Sequence, residues 1–253
     1  MFSLLNNIPT VTKNLLILNI LMFILTYFFQ AQGIDLGAIL GAHYINSPLF
    51  EPYQIVSHFF MHADLPHVFF NMFALVMFGG ILEKIWGAKR FFIFYISCAV
   101  GAFTLYNLMG AFEIMQLKQQ IVALKIDLNH INNILTSGNL HELDNFTFKN
   151  QHEVDLLVQY LIKCRTPMVG ASGAIFGIMS AFAILFPNTE LQLMFIPVPI
   201  KAKWLIGAYF VFELYSSFYE TVGDNIAHLA HVGGAIVGAI IVLFWRKNRT
   251  HFY

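Results

Sequence analysis

Six long apolar runs, separated by charged or proline-bearing connections, constrain this chain more than any other feature. They are Asn14 to Phe29, His67 to Leu82, Phe91 to Phe112, Met168 to Phe186, Trp204 to Tyr219 and Ile226 to Trp245. A helix crosses a hydrocarbon core about 30 Å thick with about 20 apolar residues, so runs of this length read as membrane spans, slightly shortened or flanked by interfacial residues. With 58% hydrophobic and 11% charged residues in 253, the chain is too apolar for a soluble domain. The expected fold is an all-α, six-helix polytopic bundle forming a single membrane domain over residues 1–253. Met1 to Lys13 is a short polar lead. The first run reads as a retained anchor, because no small-residue cleavage pattern follows it.

Net charge is zero, so only its distribution informs. The turn holding Lys84, Lys89 and Arg90, the connection holding Lys201 and Lys203, and the tail with Arg246, Lys247 and Arg249 fall on one side. The connections with Asp35, Glu51 and Asp64, and with Glu220 and Asp224, carry only acids and fall on the other. The positive-inside rule then puts both termini in the cytoplasm. A bacterial inner membrane suits these basic inner loops. Cys98 and Cys164 lie at depths too different for a bridge, which leaves the redox compartment open.

Residues 113–166, between spans three and four, form an extracytoplasmic insert with its own pattern. Ile114, Leu117, Ile121, Leu124, Leu128, Ile131 and Leu135 alternate spacings of three and four, the seam of a coiled-coil-like helix. A polar turn around Thr136 to Asn139 and a second amphipathic stretch with Val154, Leu157, Val158 and Leu161 complete an expected helical hairpin. The plain reading is a hairpin that packs on itself; the sharper one is a surface for homo-oligomerisation or substrate docking.

The chemistry-bearing stretch is Gly170 to Gly177, GASGAIFG, which places the hydroxyl of Ser172 among small residues at the start of an apolar run. Taken alone, Gly173 and Gly177 read first as a GxxxG packing pair rather than as the setting of a nucleophile. Ser172 lies five residues after Pro167, Asn71 five after Pro66 and His231 six after Asn225, in spans entered from the outer side. At about 1.5 Å per residue, all three sit roughly 8–9 Å below the outer surface. Polar groups at that depth are costly unless they meet one another or water, so the coincidence favours one site.

His231 precedes Gly234 and Gly238, a glycine face that lets helices approach closely and bring the imidazole to Ser172 as general base. His67 and Asn71 share one helix face. Asn71 supplies an N–H for an oxyanion, with the Ser172 backbone N–H as a second donor and His67 as a possible third. No acid stands beside these residues at matching depth. The site therefore reads as a Ser–His dyad, with His231 oriented by something other than a carboxylate.

At this point the chain resembles the rhomboid family of intramembrane serine proteases. Gly170, Ala171, Ser172 and Gly173 match its GxSG motif, His231, Gly234 and Gly238 its HxxGxxxG motif, and His67 with Asn71 its HxxxN motif. Gly79, Glu83 and Gly87 match GxxxExxxG at the inner end of the second span. The resemblance implies Ser172 as nucleophile, His231 as base and an oxyanion site around Asn71. It also implies transmembrane proteins as substrates, cut beside a small residue near helix-weakening ones. Tyr53-Gln54 stands where the family often has Trp-Arg, which touches the anchoring of the first outer loop, and Phe176 stands where many members carry tyrosine, so stacking on the base should survive without a hydroxyl. The insert exceeds the corresponding loop of a minimal family core.

Two other readings remain at this point. His58 with His62 and His228 with His231 have spacings that could hold haem or a metal on a helix face. Alternatively, the chain is a rhomboid-like pseudoprotease that binds transmembrane helices without cutting them. Neither HExxH nor GxGD is present. The leading reading needs no metal or organic cofactor; its partners are transmembrane substrates and the lipid bilayer, and nucleic acid is not among them.

Overall fold

The computed structural model describes residues 7–193, 196–218 and 227–247. Tyr219, Glu220, Asp224, Asn225, Ile226 and Arg249, along with the first six residues of the polar lead, lie outside the described residues.

Helices stand at all six expected spans. Helix α1 is Thr10–Gln30; after it come two short outer-loop helices, α2 (Leu36–Leu40) and α3 (Gln54–Ser57), the latter continued by a 3₁₀ turn at His58–Phe60. Helix α4 is Leu65–Trp86, α5 is Ala88–Ala123 and α8 is Ser172–Leu185, with α6 and α7 between them; α9 is Ala202–Ser216 and α10 is His228–Lys247. Four of these, α1, α4, α5 and α10, are long and apolar enough to cross a membrane, while α8 has 14 residues and α9 15.

Each boundary has a local cause. The Asp64 carboxylate caps α4 by accepting from the His67 N–H at 2.7 Å, and Pro66 occupies the first turn, where its missing N–H costs nothing. Gly87, at φ +79°, breaks the chain between α4 and α5 in a conformation that a side chain would strain. Within α4, Leu75–Gly79 forms a π-helical turn between the N-terminal half, which carries His67 and Asn71, and the C-terminal half, which carries Glu83. Glu83 is buried and accepts from the Val11 and Thr12 N–H groups and the Thr12 hydroxyl at 2.7–2.8 Å. It thereby supplies the start of α1 with a cap from another helix.

The expected hairpin in 113–166 is corrected in two respects. Helix α5 does not stop at Phe112 but runs on unbroken to Ala123, 36 residues or about 54 Å, well past the bilayer core. The seam is then broken at Lys125, whose φ is +61°, and the chain folds back into α6 (Leu128–Ser137), a 3₁₀ segment (Leu140–Asn145) and α7 (Gln151–Arg165). The insert is therefore a three-helix cluster. Asp127 caps α6 and Asn150 caps α7, which is why helix restarts at those points. Ile114, Leu117, Ile121, Ile131 and Leu135 meet Leu157, Tyr160 and Cys164 in one core, so the seam is spent inside the chain.

A second core fills the bundle, with Phe91, Phe94, Tyr95 and Cys98 of α5 packed on Leu75 of α4 and Ile175 and Ile178 of α8. Both cysteines are free and buried. Between α8 and α9 the chain forms an antiparallel pair, β1 (Glu190–Leu193) and β2 (Ile196–Lys201), a local element the all-α reading does not contain.

Candidate active site

Close helix contact builds the site. A Cβ on Gly234 would lie 1.9 Å from the Gly173 carbonyl oxygen, and one on Gly238 2.6 Å from that of Gly177. A Cβ on the same Gly173 or Gly177 would meet Ala102 or Cys98 of α5. Glycines at these positions let α8 lie against α10 and α5 at backbone distance, as the two glycine patterns predict.

This contact brings His231 Nε2 to 2.8 Å from Ser172 Oγ. Phe176, one turn after the serine, stacks on the imidazole at 4.3 Å between centroids and 9° between planes, so stacking survives without the tyrosine hydroxyl. Tyr209 of α9 packs against Phe176 at 5.0 Å between centroids, tilted by 45°.

Ser172 is the first residue of α8, because Met168 to Ala171 are not helical: Met168 pairs its backbone with Ala42, and Gly170 donates its N–H to the His58 carbonyl at 2.9 Å. The count of helical residues from Pro167 to Ser172 therefore does not hold, because helix begins only at Ser172; α8 has 14 residues, about 21 Å. Gly170 sits at φ +126°, and a Cβ there would be 2.8 Å from the His67 ring, which places His67 beside the serine's approach. The first-turn N–H groups of α8, including that of Ser172, have no partner one turn back and present the positive end of the helix.

Asn71 is buried, and its Nδ2 has no hydrogen-bond partner among the described residues. An unpaired buried donor costs about 1–3 kcal/mol, a cost that an oxyanion would relieve.

The expectation of a site without an acid is overturned. Glu213 of α9 is 2% exposed, and its Oε2 lies 2.8 Å from His231 Nδ1 and 2.7 Å from His228 Nδ1. Glu213 is three residues before the end of α9 and His231 three after the start of α10, so the two share a depth. The signal lay in the sequence: Glu213 is the lone charge in the apolar run from Trp204 to Tyr219, and an ionisable residue in such a position marks function by default. A carboxylate only accepts, so each imidazole donates through Nδ1–H, and His231 Nε2 is left to accept from the Ser172 hydroxyl.

The His58–His62 pair of the haem or metal reading loses its geometry here. His58 and His62 do not share a helix, since the chain is extended at Met61; His58 donates from Nδ1 to the Gln54 carbonyl at 2.6 Å, and burial pushes it down to about 4. Ligand-type atoms of Glu213, His228 and His231 do fall within 4.8 Å of one another, but both imidazoles are already hydrogen-bonded to one carboxylate oxygen.

Gln54 also answers the missing Trp-Arg pair. Its buried amide accepts from the His43 and Glu51 N–H groups and donates to the Ile39 and Leu49 carbonyls, all at 3.2 Å, tying the first outer loop together.

A family model described as the Rhomboid domain matches residues 49–115 and 153–248, which covers most of the chain and every site residue above. The chain belongs to the rhomboid family. The rhomboid match passes over residues 116–152, the greater part of the insert. Over 201 residues the chain is 26% identical to "RHOMBOID-like protein 12, mitochondrial" of Arabidopsis thaliana, covering 79% of this chain and 48% of that one. It is 24% identical over 207 residues to "Rhomboid protein 1, mitochondrial" of Saccharomyces cerevisiae, covering 80% and 43%. To "Rhomboid-like protein 11, chloroplastic" of Arabidopsis thaliana it is 22% identical over 245 residues, covering 92% and 64%. The chain spans about half the length of the two mitochondrial relatives. These relatives carry organellar names, in contrast to the bacterial setting expected from the basic loops.

Proposed function

We propose that this rhomboid-family membrane protein is an intramembrane serine endopeptidase that cuts transmembrane segments near the outer membrane surface. The observation that carries this reading is the 2.8 Å contact between Ser172 Oγ and His231 Nε2 at the start of α8. A serine hydroxyl is a weak nucleophile until an adjacent base can take its proton, and this contact supplies one.

In the proposed reaction a substrate helix unwinds and offers its scissile carbonyl to Ser172. Oγ bonds to the carbonyl carbon as its proton passes to His231 Nε2, and Asn71, the Ser172 backbone N–H and His67 hold the oxyanion. The C–N bond then breaks, with the proton delivered to the leaving amine. Water deprotonated by His231 releases the acyl group. An outer cavity of about 920 Å³, lined by Thr26 and Gln30 of α1, by His62, and by Leu135, Thr136 and Arg165 of the insert, offers an approach from the aqueous side. Val169 lines both this cavity and the small pocket at Ser172. The proposed orientation puts both termini in the cytoplasm, with the basic connections inside.

The test is cleavage of a transmembrane reporter in liposomes by wild type and by Ser172→Ala, with labelling by a fluorophosphonate probe. Cleavage and labelling by wild type alone are expected. A wild-type protein that binds the reporter but neither cuts it nor labels would turn the assignment to a helix-binding pseudoprotease.

A further inference from the structure

The geometry points to Glu213 as a positioning residue that, clamped by His228, holds His231 in the protonation geometry the reaction needs. This inference rests on the proteolytic reading of Ser172 and His231 and deepens it from a dyad to a three-residue relay across α8, α10 and α9.

Three observations converge. The first is linear order: Ser172 Oγ meets His231 Nε2 at 2.8 Å, and the opposite ring nitrogen meets Glu213 Oε2 at 2.8 Å. An acceptor-only carboxylate at Nδ1 selects the Nδ1–H tautomer, which is the one that leaves a lone pair at Nε2 facing the serine. The second is that the carboxylate is itself held. His228 donates to the same oxygen at 2.7 Å, and Glu213 is 2% exposed, so the acid can neither rotate freely nor exchange His231 for water. The third is Phe176, stacked on His231, which fixes the ring plane while Glu213 fixes its rotation within that plane.

During acylation the proton from Ser172 Oγ goes to Nε2 as the O–C bond forms. His231 becomes an imidazolium, and its Nδ1–H stays on nitrogen, shared with the Glu213 carboxylate. When the C–N bond breaks, the Nε2 proton leaves with the amine and His231 is neutral again; water then gives a proton to Nε2 as its oxygen bonds to the acyl carbon, and that proton returns to Ser172 Oγ as the ester C–O bond breaks, which restores the starting state. Glu213 neither gains nor loses a proton; it lowers the energy of the cation that forms beside it.

The charged and titratable groups facing His231 are Glu213 on α9, His228 on its own helix and His67 on α4, with Tyr209 one turn before Glu213. Glu213 is the one anion in this set. Its neutral replacement should therefore make the imidazolium less stable, not more.

The experiment uses wild type and Glu213→Gln in liposomes, reading kcat, KM, the pH profile of kcat/KM and the rate of fluorophosphonate labelling at Ser172. Glu213→Gln is expected to lower kcat by about 10²–10⁴-fold with KM little changed, on the scale seen when the carboxylate of a serine-protease triad is replaced. The acidic limb of kcat/KM should move to lower pH, a displacement that mere loosening of the fold would not produce. A folded Glu213→Gln with wild-type kcat and an unmoved acidic limb would overturn the inference.

If that variant does not fold, wild type still decides. In ¹⁵N-histidine spectra of the detergent-solubilised protein, His231 should be the Nδ1–H tautomer with a strongly downfield proton, and an Nε2–H tautomer would refute the relay. Failure of the proteolytic reading looks different: wild type itself would show no cleavage or labelling that depends on Ser172.

Discussion

Asn71 carries a buried amide donor with no partner among the described residues, on the helix face it shares with His67. The pairing it lacks is one that an oxyanion would supply. Asn71→Ala should therefore lower turnover by about 10²–10³-fold while leaving the fold and the Ser172–His231 contact in place. Cleavage kinetics beside a thermal melt check this, and unchanged turnover would remove Asn71 from the mechanism. Glu213 teaches the complementary lesson. Its carboxylate was visible as a lone charge in an apolar run, but nothing in one dimension says that α9 turns that face toward α10 at the level of His231. The fold gives it two imidazole donors, His228 and His231.

At the scale of elements, glycine spacing decides where backbones touch. The pairing of Gly173 and Gly177 with Gly234 and Gly238 was legible as two matching small-residue ridges, and the packed helices use both. Gly234→Ala would drive a Cβ into the Gly173 carbonyl, a contact of 1.9 Å that only backbone separation can relieve. It should destabilise the α8–α10 pair by about 1–3 kcal/mol or more and lengthen the Ser172–His231 contact. The readouts are a lower midpoint of denaturation in detergent and slower probe labelling at Ser172. Element ends were less legible. α8 begins at Ser172 because the preceding residues pair with the first outer loop through Ala42 and His58, contacts far apart in sequence. The seam from Ile114 to Leu135 kept its apolar period across Lys125, where the backbone turns over at φ +61°; period alone cannot reveal such a fold-back.

For the whole molecule, three apolar clusters among the described residues make up the architecture: the bundle and insert cores share no residue, and a smaller third, of Ala42, Ala102, Phe103, Met168 and Ala230, joins the first outer loop to α5 and α10. The bundle core runs from α1 through α10, and the insert core joins the outer extension of α5 to α6 and α7. Tyr44 of the first outer loop belongs to the insert core and lies flat on α5 at Gly110, where no Cβ blocks it, so the insert and the loop support each other. Because the rhomboid match resumes at residue 153, excising 116–152 should leave the bundle folded and Ser172 open to a fluorophosphonate probe. The cut would remove Leu135 and Thr136 from the wall of the outer cavity, so KM for a reporter with a long outer flank should rise while KM for a short one stays near wild type. Loss of probe labelling in a folded excision variant would show that the insert is needed for the site itself.

Apolar length, the side on which bases gather, and small-residue spacing are local properties. They determined by themselves that the chain is a helical membrane protein of the rhomboid type, and they singled out Ser172, His231, His67 and Asn71. The tertiary structure alone decided which carboxylate meets His231, where α8 starts, how the seam of the insert folds back on itself, and that Glu83 caps α1. Each of those depends on the rotation and offset of one helix against another. Side-chain contacts across the bundle set that rotation, and no window along the chain contains both partners.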